Sequence, residues 1–167
     1  MTIEHIGKSP ELTKKGIVIT PIGRCHLRRA HALFQEQYPH VTISDFIQLY
    51  GNITPHKYRH AFESNIVVRD VIVARDYNDH ILALYTYIAQ AKKDYIVEHL
   101  VIPGPLYRQT ALKKFIEHMI GYALEFHCKR IIIEQMNDSD WKEMFFIEVG
   151  GRRIKPDQLQ INLSAKS

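Results

Sequence analysis

The stretch from Tyr95 to Cys128 constrains the fold more than any other part of the chain. Tyr95-Ile-Val-Glu-His-Leu-Val-Ile102 is β-branched, aromatic or aliphatic except at Glu98 and His99, and Pro103-Gly-Pro105 cannot continue a ladder. These residues predict a strand that stops at Ile102. From Thr110 the period changes. Leu112, Phe115, Ile116, Met119, Ile120 and Ala123 recur at three and four residues, which is the apolar stripe of a long helix. A strand, a tight loop and a helix in direct succession call for a layered α/β arrangement.

The loop has chemical meaning as well. The first turn of a helix carries N–H groups with no intrahelical partner, at the positive end of the dipole. Here Arg108 precedes that turn and Lys113 and Lys114 lie inside it, so backbone and side chains together make a candidate phosphate site. The same features also suit a strand-to-helix connection that binds nothing.

A chain of 167 residues with 46% hydrophobic content is of the size of one domain. Residues 16–167 are expected to form it, and the polar stretch Met1–Lys15 is a loosely held lead-in. The net charge of +4 mildly favours anionic ligands, but Lys and Arg are scattered without a block of like charge, which argues against a nucleic-acid partner. Cys25 and Cys128 are too few for a disulfide framework, so a reducing, cytoplasmic setting is expected. No apolar run reaches the roughly 18 residues of a membrane span, and no signal peptide is evident at Met1-Thr-Ile-Glu-His5.

Elsewhere the pattern alternates. Gly16-Ile-Val-Ile-Thr20 is a short first strand; Leu27, Ala30, His31, Leu33, Phe34 and Gln37 mark a helix that stops at Tyr38-Pro39; Ser44 opens a second helix ending at Gly51. Thr54-Pro55 suggests a further capped turn. Asn65–Arg75 and Ile81–Ala89 flank an Asp/Asn cluster and predict a hairpin, so with the strand from Tyr95 they make an antiparallel meander. Arg130–Met136 reads as a buried strand parallel to the one from Tyr95. The capping cluster Asn137-Asp-Ser-Asp140 opens a helix through Trp141, Met144, Phe145 and Val149 to Gly150-Gly151, and a last strand or hairpin surrounds Pro156-Asp157.

This order, β-α-α-β-β-β-α-β-α-β, resembles the GNAT superfamily of acyl-CoA N-acyltransferases. The family signature is an acidic residue on a strand, then Pro-x-Tyr-Arg, then a glycine-rich loop opening a helix; this chain has Glu98-His-Leu-Val-Ile102 followed by Pro105-Leu-Tyr107-Arg108. Downstream, Asn137 and the Phe145-Phe146 pair before Gly150 continue the likeness. The resemblance implies an α/β (α+β) fold with a mixed, largely antiparallel sheet and helices on both faces. It further implies an acyl-CoA co-substrate, acetyl-CoA by default, an amine acceptor of unidentified kind, and no resident metal; a homodimer is compatible with it.

By the same resemblance, backbone groups at Leu100, Val101 and Ile102 would align pantetheine. The run Arg108, Gln109, Thr110, Ala111, Leu112 and Lys113 would hold the diphosphate, Asn137 would contact pantetheine, and Glu98 would be the general base. N–H groups from Gln109 to Lys113 would then face open space, and the strands ending at Ile102 and starting at Arg130 would diverge into a cleft. Two departures stand out. Ala111 and Lys113 fall where glycine or a small residue is usual, and Phe146 falls where many members carry a tyrosine that protonates the departing thiolate. A GNAT-like module that has lost catalysis and serves in binding, regulation or assembly is therefore the alternative.

Other residues have structural readings beside chemical ones. Glu98 and His99 should point to opposite faces of a regular strand unless a bulge intervenes. Glu134 is a reserve base. His56 and His60 have helical metal-ligand spacing but no evident third ligand, and Cys25 beside His26 is expected to diverge from it. Tyr85, Tyr87 and Tyr95 could line an acceptor pocket, although tyrosines spaced by two more often pack within a sheet.

Overall fold

A seven-stranded sheet with strand order β1-β2-β3-β4-β5-β7-β6 organises the computed structural model, which describes residues 16–50, 67–104, 106–136 and 141–163. The strands are β1 (Val18–Pro21), β2 (Val67–Arg75), β3 (Ile81–Gln90), β4 (Asp94–Val101), β5 (Arg130–Ile133), β6 (Gly151–Lys155) and β7 (Gln158–Asn162). The helices are α1 (Leu27–Gln37), α2 (Ile43–Tyr50), α3 (Arg108–Glu125) and α4 (Glu143–Glu148), with a short 3₁₀ turn at Arg24–His26 ahead of α1. All strand pairs are antiparallel except β4 with β5. The expected lead-in Met1–Lys15, the turn at Thr54-Pro55 and the pair His56 and His60 lie outside the described residues.

The meander forms because its turns are chemically specified. At β2–β3, Asp76 Oδ1 accepts the N–H groups of Asn78 and His80, both at 2.9 Å, and Asp79 takes φ 66°. Helix α2 starts one residue earlier than the Ser44 pattern suggests, because Thr42 and Asp45 form a reciprocal cap: Asp45 N–H donates to Thr42 Oγ1 and Thr42 N–H to Asp45 Oδ2. Helix α3 ends without glycine. His127 adopts φ 58° and the Cys128 N–H closes back on Ala123 O at 2.9 Å, which aims the chain into β5.

The sheet separates two cores. On one face, Leu112, Phe115, Ile116, Met119 and Ala123 of α3 and Phe145 and Phe146 of α4 pack on Tyr85, Tyr87, Tyr95 and Val97. On the other, Leu27, Ala30 and Phe34 of α1 and Phe46 and Tyr50 of α2 pack on Val71, Val73, Leu84 and Val101. The periods of 3.6 and 2 in the sequence map directly onto these faces.

The carboxy-terminal part takes the hairpin alternative of the sequence reading and differs from that reading in where the last helix begins. The last element is a hairpin of two strands, and its second strand, β7, inserts between β5 and β6. Helix α4 begins at Glu143, so Trp141 sits in the turn before it; Asn137–Asp140 lie outside the described residues. The expected stop at Gly150-Gly151 has a steric reason. Gly150 takes φ 97°, and a Cβ on Gly151 would lie 2.7 Å from the Phe146 carbonyl oxygen.

Candidate active site

Only four rungs join β4 to β5, from Asp94↔Arg130 to Val97↔Ile133, and a final bond runs from Glu134 N–H to Val97 O at 3.0 Å. Beyond that point β4 continues to Val101 paired with β3 alone. The two parallel strands therefore fork at their carboxyl ends, the position at which open α/β sheets bind ligands. Leu100, Val101 and Ile102 lie on the β4 arm of the fork with buried side chains.

A bulge sits at the base of the fork. The register passes from Thr86↔His99 to Tyr87↔Val97, which leaves Glu98 as the extra residue. Alternation is broken there, so Glu98 and His99 both turn toward the α1/α2 face while Val97 and Leu100 belong to the α3 core. This is the bulge exception to the expectation that the two neighbours point apart on a regular strand. Glu98 approaches Arg69 of β2 at 3.8 Å. Burial raises its pKa, the Arg69 charge lowers it in part, and the Glu134 carboxylate raises it again.

His99 is held differently. Its Nδ1 is 2.8 Å from Thr86 Oγ1, and its ring meets Phe34 and Tyr38 edge-on at 4.9 and 4.5 Å between centroids. Burial, with His40 adding to it, lowers its pKa to about 4, so the imidazole is neutral at physiological pH. Thr86 also hydrogen-bonds Tyr50, whose pKa burial pushes up to about 12. Across the fork, Tyr38 donates to Gln135 Oε1 at 3.0 Å, joining the end of α1 to the residues just after β5, where Gln135 takes φ 58°. No sequence pattern signals Arg69, Thr86, Tyr50 or this Tyr38–Gln135 link, because each pairing spans distant parts of the chain.

The start of α3 differs from the expected open cradle. The helix begins at Arg108, the Ala111 N–H is already bonded to Tyr107 O at 2.8 Å, and the side chains of Ala111 and Leu112 are fully buried. N–H groups from Ala111 to Lys113 are thus consumed by the helical ladder, leaving the first-turn groups of Arg108, Gln109 and Thr110. Gln109 and Lys113 are exposed, and Arg108 and Thr110 are half-buried. The turn suits a diphosphate by charge more than by a glycine loop. Arg108 stacks its guanidinium 4.9 Å from the Trp141 ring centroid, and its buried Nε has no hydrogen-bond partner, an orphan donor that calls for an acceptor. Lys113 Nζ lies 5.9 Å from the Phe145 ring. Asn137 is outside the described residues.

The remaining candidates take structural places. Tyr85, Tyr87 and Tyr95 are buried under α3, away from the α1/α2 face, with Tyr85 OH 2.7 Å from both Tyr95 OH and His118 Nδ1. Phe146 is fully buried in the same core. Contrary to expectation, Cys25 Sγ does approach His26, but at 3.4 Å from Nδ1 and 4.0 Å from Nε2. The shorter distance is a hydrogen bond to Nδ1, and the other ring nitrogen, Nε2, lies 2.8 Å from Asp79 Oδ2. Glu134 lies half-buried beside the fork. Among the described residues, no cluster of three His, Cys, Asp or Glu side chains could hold a metal, and no helix is long and apolar enough to cross a membrane. An open depression of about 450 Å³ lined by Lys92, Lys93, Asp94, Lys129, Arg130, Gln160 and Asn162 lies at the opposite end of β4 and β5 from the fork.

No protein-family model matches the sequence, and no curated protein matches it. Solved structures do match the fold. An acetyltransferase of the GNAT family from Staphylococcus aureus Mu50 superposes with a TM-score of 0.62 at 11% identity, over 88% of this chain and 99% of the other. The chain has the GNAT fold. The aminoglycoside 6'-N-acetyltransferase of Enterococcus faecium has the same architecture, with a TM-score of 0.63 at 9% identity over 87% of this chain and 97% of that one. Spermidine N-acetyltransferase from Vibrio cholerae, solved with CoA and spermine, gives 0.60 at 14% identity over 90% and 97%. At such identities the likeness to GNAT structures concerns the path of the chain and not its side chains.

Proposed function

We propose that this protein is a cytoplasmic acyl-CoA-dependent N-acyltransferase, with acetyl-CoA the default donor, acting on an amine by direct transfer. The observation that carries the reading is the fork itself: a parallel pair that separates after Val97 and Ile133, with a bulge placing Glu98 at its base. Acyl-CoA supplies an activated thioester carbonyl. The open edge of β4 from Glu98 to Ile102 offers backbone groups to pantetheine, and Arg108 with the first-turn N–H groups of α3 and nearby Lys113 offers charge to the diphosphate.

Glu98 is the base. Its half-buried carboxylate has raised basicity, and it faces the α1/α2 side of the sheet, the side from which the amine would reach it. Neutral His99, fixed through Nδ1 by Thr86, shapes the wall beside it. Arg69 keeps Glu98 oriented while leaving it 3.8 Å away, too long for a tight pair that would quench it. Acceptors resembling the polyamine or aminoglycoside substrates of the solved relatives are suited to this carboxylate by charge.

The second reading is an inactive GNAT-fold module, favoured by Phe146, which has no proton to give, and by the helical start at Arg108. Thermal-shift titration with acetyl-CoA and CoA separates the two, since a ligand bound only by the folded state raises its apparent stability. A rise in Tm with both, followed by acetyl transfer to members of a polyamine and aminoglycoside panel, supports the enzyme. Binding without transfer to any amine favours the module, and no rise at millimolar ligand removes the acyl-CoA reading.

A further inference from the structure

Phe146 offers nothing to a leaving sulphur, and one turn earlier the chain supplies a group that can receive it. Lys142 caps α4 four residues before Phe146, on the α3/α4 face of the sheet. Its Nζ donates to the Leu100 carbonyl oxygen at 3.1 Å. That carbonyl belongs to the part of β4 beyond its last rung with β5, so the contact holds an ammonium group inside the fork. Glu98 faces the opposite side of the same strand edge. A base on one side and a cation on the other suit a transfer in which the amine enters from the α1/α2 face and sulphur departs toward α4.

We propose that the Lys142 ammonium receives the departing CoA thiolate as an ion pair, offsetting the charge that a hydroxyl in place of Phe146 would have neutralised; the inference rests on acyl-CoA binding in the fork. The amine nitrogen bonds to the thioester carbonyl carbon, the C–S bond breaks, and its electron pair goes to sulphur. The sulphur leaves as a thiolate paired with the Lys142 ammonium, which keeps its proton, and the proton shed by the amine goes to Glu98. Exchange with solvent then removes the proton from Glu98 and, as CoA leaves the ammonium, protonates the thiolate. A lysine ammonium next to a thiol favours its thiolate, and neighbouring cations lower thiol pKa values from about 8.5 to as far as about 3.5–7.5.

The test needs no acceptor. Calorimetric affinities of CoA and of desulfo-CoA, which lacks the sulphur, are compared from about pH 6 to 8.5 for wild type, Lys142→Met and Lys142→Arg, each checked for folding by its Tm. In wild type the preference for CoA over desulfo-CoA should grow about tenfold across that range, as a bound thiol with a pKa lowered by about 1.5 units ionises ahead of the free one. Lys142→Met should abolish the growth and Lys142→Arg should keep it, because the retained charge still draws the thiolate. If Lys142→Met does not fold, Lys142→Gln takes its place. A pH-independent preference in wild type overturns the inference while leaving acyl-CoA binding intact. Tighter CoA binding by Lys142→Met at every pH also overturns it, since Lys142 is then a latch over the fork. Failure of both nucleotides to bind wild type removes the acyl-CoA reading and this inference together.

Discussion

Replacing Arg108 by Glu reverses the charge at the helix start and probes whether that turn holds a diphosphate. The guanidinium stacks on Trp141 at 4.9 Å and buries an Nε with no partner, so the side chain is already positioned before any ligand arrives. A hydrogen bond to a charged group contributes about 1.5–3 kcal/mol, and a carboxylate in its place adds repulsion. Together they weaken CoA binding by at least about 2 kcal/mol, or roughly thirtyfold in Kd. The cost to folding is smaller, on the order of the 0.5–1 kcal/mol of an exposed cation–π contact. Calorimetry with CoA and with pantetheine, which has no diphosphate, gives the discriminating comparison. The variant should lose CoA affinity and keep pantetheine affinity, and the loss should shrink as salt rises. Equal CoA binding by variant and wild type, or equal losses for both ligands, would refute the assignment of Arg108 to the diphosphate.

Three further outcomes follow from the geometry. Glu98→Gln should slow transfer by about 10²- to 10⁴-fold with CoA affinity unchanged, and since burial raises the Glu98 pKa, the wild-type acid limb of kcat/KM should lie above the ordinary carboxylate range; a mutant with the wild-type pH profile would exclude Glu98 as base. His99 and His118 are both held down to about 4 by burial, so between about pH 6.5 and 4 the unfolded chain binds protons that the folded one refuses. Stability should therefore fall with pH across that window, by up to about 2.7 kcal/mol per pH unit from the pair, and urea midpoints of a His99→Gln/His118→Gln variant should fall less steeply; identical slopes would contradict the burial argument. Gly151→Ala places a Cβ 2.7 Å from the Phe146 carbonyl oxygen and should cost about 1–3 kcal/mol in chemical denaturation; a neutral effect would mean that α4 can shift freely on β6.

The sequence by itself determined the layering of this protein. The change of period between Tyr95–Ile102 and Thr110–Ala123, the turn residues at Asp76–His80 and the Gly150-Gly151 stop were legible because each depends on neighbours a few residues away. The parallel placing of β4 and β5 was legible too, since a strand that returns through a helix has few ways to pair. Tertiary structure alone decided the chemistry of the fork. The bulge that turns Glu98 and His99 to one face depends on how β4 meets Thr86 and Tyr87, and single-strand alternation predicts the opposite. The early start of α3 buries Ala111 and Leu112 against the sheet, so packing overrode the open loop that Arg108–Lys113 suggested. No local pattern marks Lys142 in the turn before α4, whose Nζ meets the Leu100 carbonyl 42 residues away. Local spacing encodes elements, whereas a site assembled from distant side chains is set by which faces those elements bury against one another.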